Sequence, residues 1–162
     1  MLIDQKETFN SALLSPFTIT WLVEHNLNPD NLDMPGKYDD TALILASRQG
    51  RLDIVNDLLR QPVAVNHTNM DGTNALWAAI VANNFDIADR LLAAGIDLDN
   101  QNENGATALM YAASSGKTEW VRYLLDKSAD VKAETLDGFN ALELAANVAC
   151  LRLLRASKKT TS

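Results

Sequence analysis

Asp71-Gly72-Thr73-Asn74-Ala75-Leu76 opens a stretch that runs through Phe85-Asp86-Ile87-Ala88 and Leu91-Leu92 to Gly95-Ile96-Asp97-Leu98, and closes at Asn104. Shifted by 33 residues, it meets copies of itself on both sides. Leu43, Leu76, Leu109 and Leu142 share one column; Ala42, Ala75, Ala108 and Ala141 precede it, and Ala46, Ala79, Ala112 and Ala145 follow it. Leu58-Leu59, Leu91-Leu92 and Leu124-Leu125 form a paired column, with Asp53, Asp86 and Glu119 as an acid ahead of it. A period near 33 residues carrying two helical segments marks a helical repeat array.

Each copy reads as a turn, a helix, a bend and a second helix. Thr41, Asn74, Thr107 and Asn140 stand just before the alanine that opens the first helix, where a side-chain oxygen can accept from the free N–H groups of the helix start. Gly50, Asn83 and Gly116 end that helix, since both residue types tolerate the left-handed conformation of a tight stop. The acid falls in the first turn of the second helix, where the helix dipole favours it. Extended segments follow at Val63 to Val65, Ile96 to Leu98 and Ala129 to Val131, leading to the tight-turn dipeptides Asp71-Gly72, Asn104-Gly105 and Asp137-Gly138.

Outward from this core, Glu7 to Leu14 reads as a short helix. Ser15-Pro16 starts another, with Phe17, Trp21, Leu22 and His25 on helical spacing and an end before Pro29. The pair reads as an N-terminal cap with a polar outer side, as an end unit of a stack requires. The connection from Asn28 to Asp40 is about three residues longer than the later ones. The division is therefore 1–37 for the cap and long loop, 38–70, 71–103 and 104–136 for full repeats, 137–156 for a C-terminal capping repeat and 157–162 for a loose tail.

The 162 residues are 47% hydrophobic and 22% charged, the balance of an ordinary soluble domain. Met1 to Glu7 lacks the basic start and apolar run of a signal peptide, and no stretch reaches the roughly 18 apolar residues of a membrane helix. The single cysteine, Cys150, excludes an internal disulfide and points to a reducing compartment, the cytoplasm. A net charge of −7 argues against nucleic acid as a partner. The charge is also polarised: seven acids (Asp4, Glu7, Glu24, Asp30, Asp33, Asp39, Asp40) face two bases (Lys6, Lys37) in residues 1–47. Residues 148–162 hold Arg152, Arg155, Lys158 and Lys159 and no acid.

Catalytic chemistry has few candidates here. His25, His67 and Cys150 lie in different repeats, no Cys/His spacing suits a metal, and no glycine-rich run precedes Lys-Ser or Lys-Thr. The reading is of a non-enzyme with no cofactor and no metal.

Gly72-Thr-Asn-Ala-Leu76, Gly105-Ala-Thr-Ala-Leu109 and Leu91-Leu-Ala-Ala-Gly-Ile-Asp-Leu98 resemble the ankyrin repeat, over about residues 38 to 155 with a weaker copy at 9 to 30. Alanine replaces the family's proline. Ile44, Trp77, Met110 and Glu143 stand where histidine is usual, and Pro62 replaces a glycine. The resemblance implies a mainly α solenoid of helix-turn-helix units joined by β-hairpin-like loops, binding another protein on its concave face.

Carried over by position, the implied tips are Tyr38, Asp39 and Asp40; Met70, Asp71 and Thr73; Glu103 and Asn104; and Leu136, Asp137 and Phe139. The inner helices would add Arg48, Trp77, Val81, Met110 and Ser114 behind them. Asp before Gly is demanded by the turn itself, and Trp77 and Met110 can equally pack between neighbouring helices. Met70, Leu136 and Phe139 sit beside turns, where burial is least available. The expected partner is a protein with basic and apolar surface, bound by a monomer without nucleic acid or membrane. An inhibitor or immunity protein that neutralises a toxin or enzyme is the first alternative. A structural protein that self-associates end to end is the second.

Overall fold

The computed structural model describes residues 14–160, and the expected helix from Glu7 lies outside them except for Leu14, which is buried. The helices are α1 (Pro16–Glu24), α2 (Ala42–Arg48), α3 (Leu52–Leu59), α4 (Ala75–Val81), α5 (Phe85–Ala93), α6 (Ala108–Ser114), α7 (Thr118–Asp126), α8 (Ala141–Leu144) and α9 (Val148–Thr160). A single 3-10 turn, Lys37–Asp39, precedes α2.

The local signals in the sequence explain where these helices begin and end. Thr41 Oγ1 accepts from Ile44 N (3.3 Å), Asn74 Oδ1 from Leu76 N (3.1 Å) and Thr107 Oγ1 from Met110 N (3.2 Å). Asn140 accepts from Glu143 N (3.0 Å) while the Glu143 carboxylate accepts from Asn140 N (3.2 Å), a reciprocal cap. Each cap contributes about 1 kcal/mol. At the other end, Gly50, Asn83 and Gly116 take φ of 70°, 55° and 68°. The next N–H then turns back onto the alanine column: Arg51 N to Ala46 O, Asn84 N to Ala79 O and Lys117 N to Ala112 O, at 2.9–3.0 Å.

The chain forms two compact units. The first comprises residues up to Met70 with Asn74–Ile96; the second comprises Asp71–Thr73 with residues from Asp97 onward. In the N-terminal unit α2 packs on α4, and α3 and α5 back them; in the C-terminal unit α6 packs on α8, with α7 and α9 behind. The alanine columns allow these close approaches, and Ala42, Ala46, Ala75, Ala79, Ala108 and Ala112 are all buried. Apolar pairs of the second helices, Ile54 with Val55 and Trp120 with Val121, close each core.

Two features depart from the sequence reading. The first helix of the fourth copy stops at Leu144, because Ala145 has ψ of 123°. From first-helix start to second-helix start there are ten residues in three copies (42 to 52, 75 to 85, 108 to 118) but only seven in the fourth (141 to 148), so its first helix loses almost a turn. Next, 157–160 do not form a loose tail: α9 runs to Thr160, with no glycine or proline after Leu154 to stop it. Residues 161–162 lie outside the described part.

In keeping with a mainly α stack joined by loops, the extended segments form no strand among the described residues. They are tied by carboxylates instead, Asp33 Oδ1 accepting from Ala64 N (2.7 Å) and Asp99 Oδ1 from Asp130 N (2.8 Å). Successive turns share one backbone bond each: Met70 N to Tyr38 O, Glu103 N to Asp71 O and Leu136 N to Asn104 O, at 3.0–3.2 Å.

Asp99 bears a cost in this role. Burial first, and then the charges of Asp130 and Asp97, push its carboxyl above the ordinary value against the opposing bond from Asp130 N–H. A raised pKa in the folded state favours the neutral form, so this contribution to stability is present below the unfolded value near 3.9 and is lost as pH rises through the folded one. Asp99→Asn keeps the acceptor oxygen, and Asn66 already holds the corresponding position one repeat earlier. Thermal denaturation is expected to show Asp99→Asn more stable at pH 7 by about 1 °C, with the difference vanishing near pH 3.5.

Candidate functional site

In the N-terminal unit the candidate edge is the turn at residues 36–40. Gly36 N donates to Asp40 O (2.8 Å) and Asp39 N to Gly36 O (3.2 Å), the pattern that Asn102 N to Ala106 O and Gly105 N to Asn102 O repeat two tips further on. The later tips have glycine at the left-handed position. Here Asp39 occupies it with φ of 63°, and Tyr38 before it has φ of 60°. Two successive non-glycine residues in this region are strained. They are held by Met70 N on Tyr38 O (3.1 Å) and His67 Nε2 on Asp39 O (2.9 Å). The result presents two large side chains on one edge: Tyr38 is 57% exposed, with Lys37 Nζ 4.8 Å from its ring centre, and Met70 is 61% exposed.

Asp40 turns the other way. Its carboxylate is buried and accepts from both Arg48 terminal nitrogens (Nη2 at 3.2 Å) and from Asn69 Nδ2 (3.0 Å), which anchors the turn to α2. Arg48 is half-buried by this pairing.

In the C-terminal unit Asp71, Glu103, Asn104 and Asp137 are exposed at successive turns. Thr135 N donates to Phe139 O (2.9 Å) and Phe139 N to Thr135 Oγ1 (3.1 Å), closing the last turn. Beside it Leu136 is 79% and Phe139 47% exposed. Acid and apolar groups are therefore interleaved on the edge of each unit.

Of the residues expected at the interface, Tyr38, Asp39, Met70, Asp71, Val81, Glu103, Asn104, Ser114, Leu136, Asp137 and Phe139 are exposed, and Arg48 and Thr73 are half-buried. Three do not belong there as surface contacts. Asp40 is a buried anchor, and Trp77 and Met110, 8% and 1% exposed, are core residues of α4 and α6 because their helix faces point into the packing. The holding role of His67 was not read from the sequence. Its placement one repeat after the Tyr38 turn was the available signal.

The groups considered for chemistry are placed structurally. His25 ends α1, its Nδ1 donating to Trp21 O (2.7 Å) and its Nε2 lying 3.1 Å from Gln49 Nε2. Cys150 is buried, 3.6 Å from Thr118 Oγ1. Among the described residues no group of three or more His, Cys, Asp or Glu could hold a metal ion, and no helix is long and apolar enough to cross a membrane.

Comparison with known proteins agrees with the repeat reading. A family model described as ankyrin repeats (3 copies) matches residues 12–102 and 75–161. No curated protein sequence matches the chain. Ankyrin repeats generally mediate protein–protein interaction and are typically non-enzymatic. With the 33-residue period, the capped helix pairs and the linked turns in the same register as this match, the chain belongs to the ankyrin-repeat family.

Proposed function

We propose that the chain captures a protein segment bearing basic and apolar side chains, using the turn edges of its two units. The observation that carries this reading is the exposure of Tyr38 and Met70 in one unit and of Leu136 and Phe139 in the other, each beside acidic turn residues. Large apolar side chains held on a turn supply contact area, and the acids Asp39, Asp71, Glu103 and Asp137 select a basic partner and speed its approach. The turns are fixed by backbone hydrogen bonds before binding, so little ordering entropy remains to be lost. The lone buried Cys150 suits a reducing compartment, and the cytoplasm is the proposed location.

Met70, Leu136 and Phe139 changed together to serine should abolish capture and leave thermal stability nearly unchanged, because all three are largely exposed. Affinity capture with the native chain and the triple variant in parallel tests this. A protein retained equally by both places binding elsewhere.

A further inference from the structure

An end unit of a repeat array ordinarily turns a polar face outward. Among the described residues neither α1 nor the fourth copy does so. α1 buries Thr18, Trp21 and Leu22, but its other face exposes Phe17 (49%), Thr20, Val23 (60%) and Glu24, which fall on one side at helical spacing. At the far end, Leu142 belongs to a column whose other members, Leu43, Leu76 and Leu109, are 3%, 0% and 1% exposed, yet it is only half-buried. With Val131 and Leu154 it lines a cleft of about 260 Å³, rimmed by Lys132, Glu134 and Asn140. The leucine that packing with a following helix pair covers in earlier copies is thus left at the surface.

The geometry points to a second copy as the occupant: the exposed face of α1 of one chain seats on the uncovered Leu142 cleft of another. Both surfaces carry apolar side chains; the charge on the α1 face is the acid Glu24, while Lys132 of the cleft rim and Arg152 and Arg155 on α9 are bases, against the one acid Glu134 of the rim. Glu24 makes no ion pair among the described residues, nor do Lys132 of the cleft rim or Arg152 and Arg155, exposed on α9. The contact joins two different faces, so it propagates head to tail instead of closing on itself as a two-fold pair does. One short helix buries less than the roughly 800 Å² per partner of a stable complex, so the association is weak, with Kd between about 10 µM and 1 mM. Salt weakens it by screening the charge pairs. The turn edges take no part, so its failure leaves the proposed capture of a partner protein untouched.

Sedimentation velocity of the full chain from about 20 µM to about 1 mM reads the association directly. The native chain should grow in mass with concentration. Val23→Lys, which spoils the α1 face, and Leu142→Lys, which spoils the cleft, should each remain monomeric. An equimolar mixture of the two should form one-to-one dimers and nothing larger, because each variant keeps the face the other has lost. Lys132→Glu with Arg155→Glu replaces Leu142→Lys if a thermal melt shows that variant unfolded.

A native chain that stays monomeric throughout overturns the proposal. So does assembly that neither variant disturbs, or a mixture that fails to form dimers.

Discussion

Gly105→Ala should destabilise the chain by about 3 kcal/mol, and Gly138→Ala by about 1 kcal/mol. Both glycines have positive φ, 80° and 87°, so alanine carries a conformational cost at either site. They differ in what a methyl group would meet. At Gly138 nothing lies within 4 Å, whereas at Gly105 the added carbon would stand 2.8 Å from Leu136 N and 3.1 Å from the Thr135 carbonyl carbon. Those are backbone atoms of the next turn, held in place by the bond from Leu136 N to Asn104 O (3.0 Å). They cannot withdraw without breaking the link that fixes one turn against its neighbour. Gly72, with Glu103 N 2.9 Å from the same hypothetical carbon, belongs with Gly105. Parallel urea melts of the two variants measure the difference. Equal losses would mean that the turns are not closely interlocked.

Removal of the Asp57 carboxylate is the other large effect. The side chain, on α3, is 2% exposed and accepts from Ser15 N (2.8 Å) and Ser15 Oγ (2.6 Å) at the start of α1. Burial by itself pushes this carboxyl up. The hydrogen bonds from the Ser15 and Thr18 hydroxyls and Ser15 N–H, with the charge of Arg60, outweigh it and hold the group below the ordinary carboxylate value.

Asp57→Ala leaves those donors without their acceptor and frees the helix that covers the core through Trp21 and Leu22, at a cost of about 2–4 kcal/mol at pH 7. A folded-state pKa below the unfolded one gives stability that is present above about 3.9 and is lost as pH falls through the folded value. The gap between native chain and variant in urea melts should therefore narrow toward pH 3, the opposite sense to Asp99. A gap that is small at pH 7, or that widens in acid, would remove Asp57 as the anchor of α1.

What could be read in the sequence was whatever the backbone demands locally. A helix start needs an acceptor, and Thr41, Asn74, Thr107 and Asn140 supply one at a fixed place in every copy. The positive φ at Gly50, Asn83 and Gly116 was legible for the same reason. Contacts between distant residues were not. Asp57 and Ser15 are 42 positions apart, and nothing in either neighbourhood announces the bond. Trp77 and Met110 read equally well as contact or core, since helical spacing gives a direction only relative to a neighbour whose distance is unknown. For the same reason Leu142 looked like an ordinary member of its buried column, and only the structure shows it half-buried where Leu43, Leu76 and Leu109 are fully buried.

The exposed edge was the part of the candidate site most open to sequence reading, because a turn leaves little room for burial, and Met70, Leu136 and Phe139 are exposed. The measurement that bears most directly on their role is the dissociation constant of the captured partner, determined for the native chain and the triple serine variant across salt concentrations. Native affinity should fall as salt rises, through screening of the acidic turns, and the variant should bind at least about 100-fold more weakly, as expected for the loss of several anchor side chains. Equal affinity for both chains, with no dependence on salt, would contradict that role.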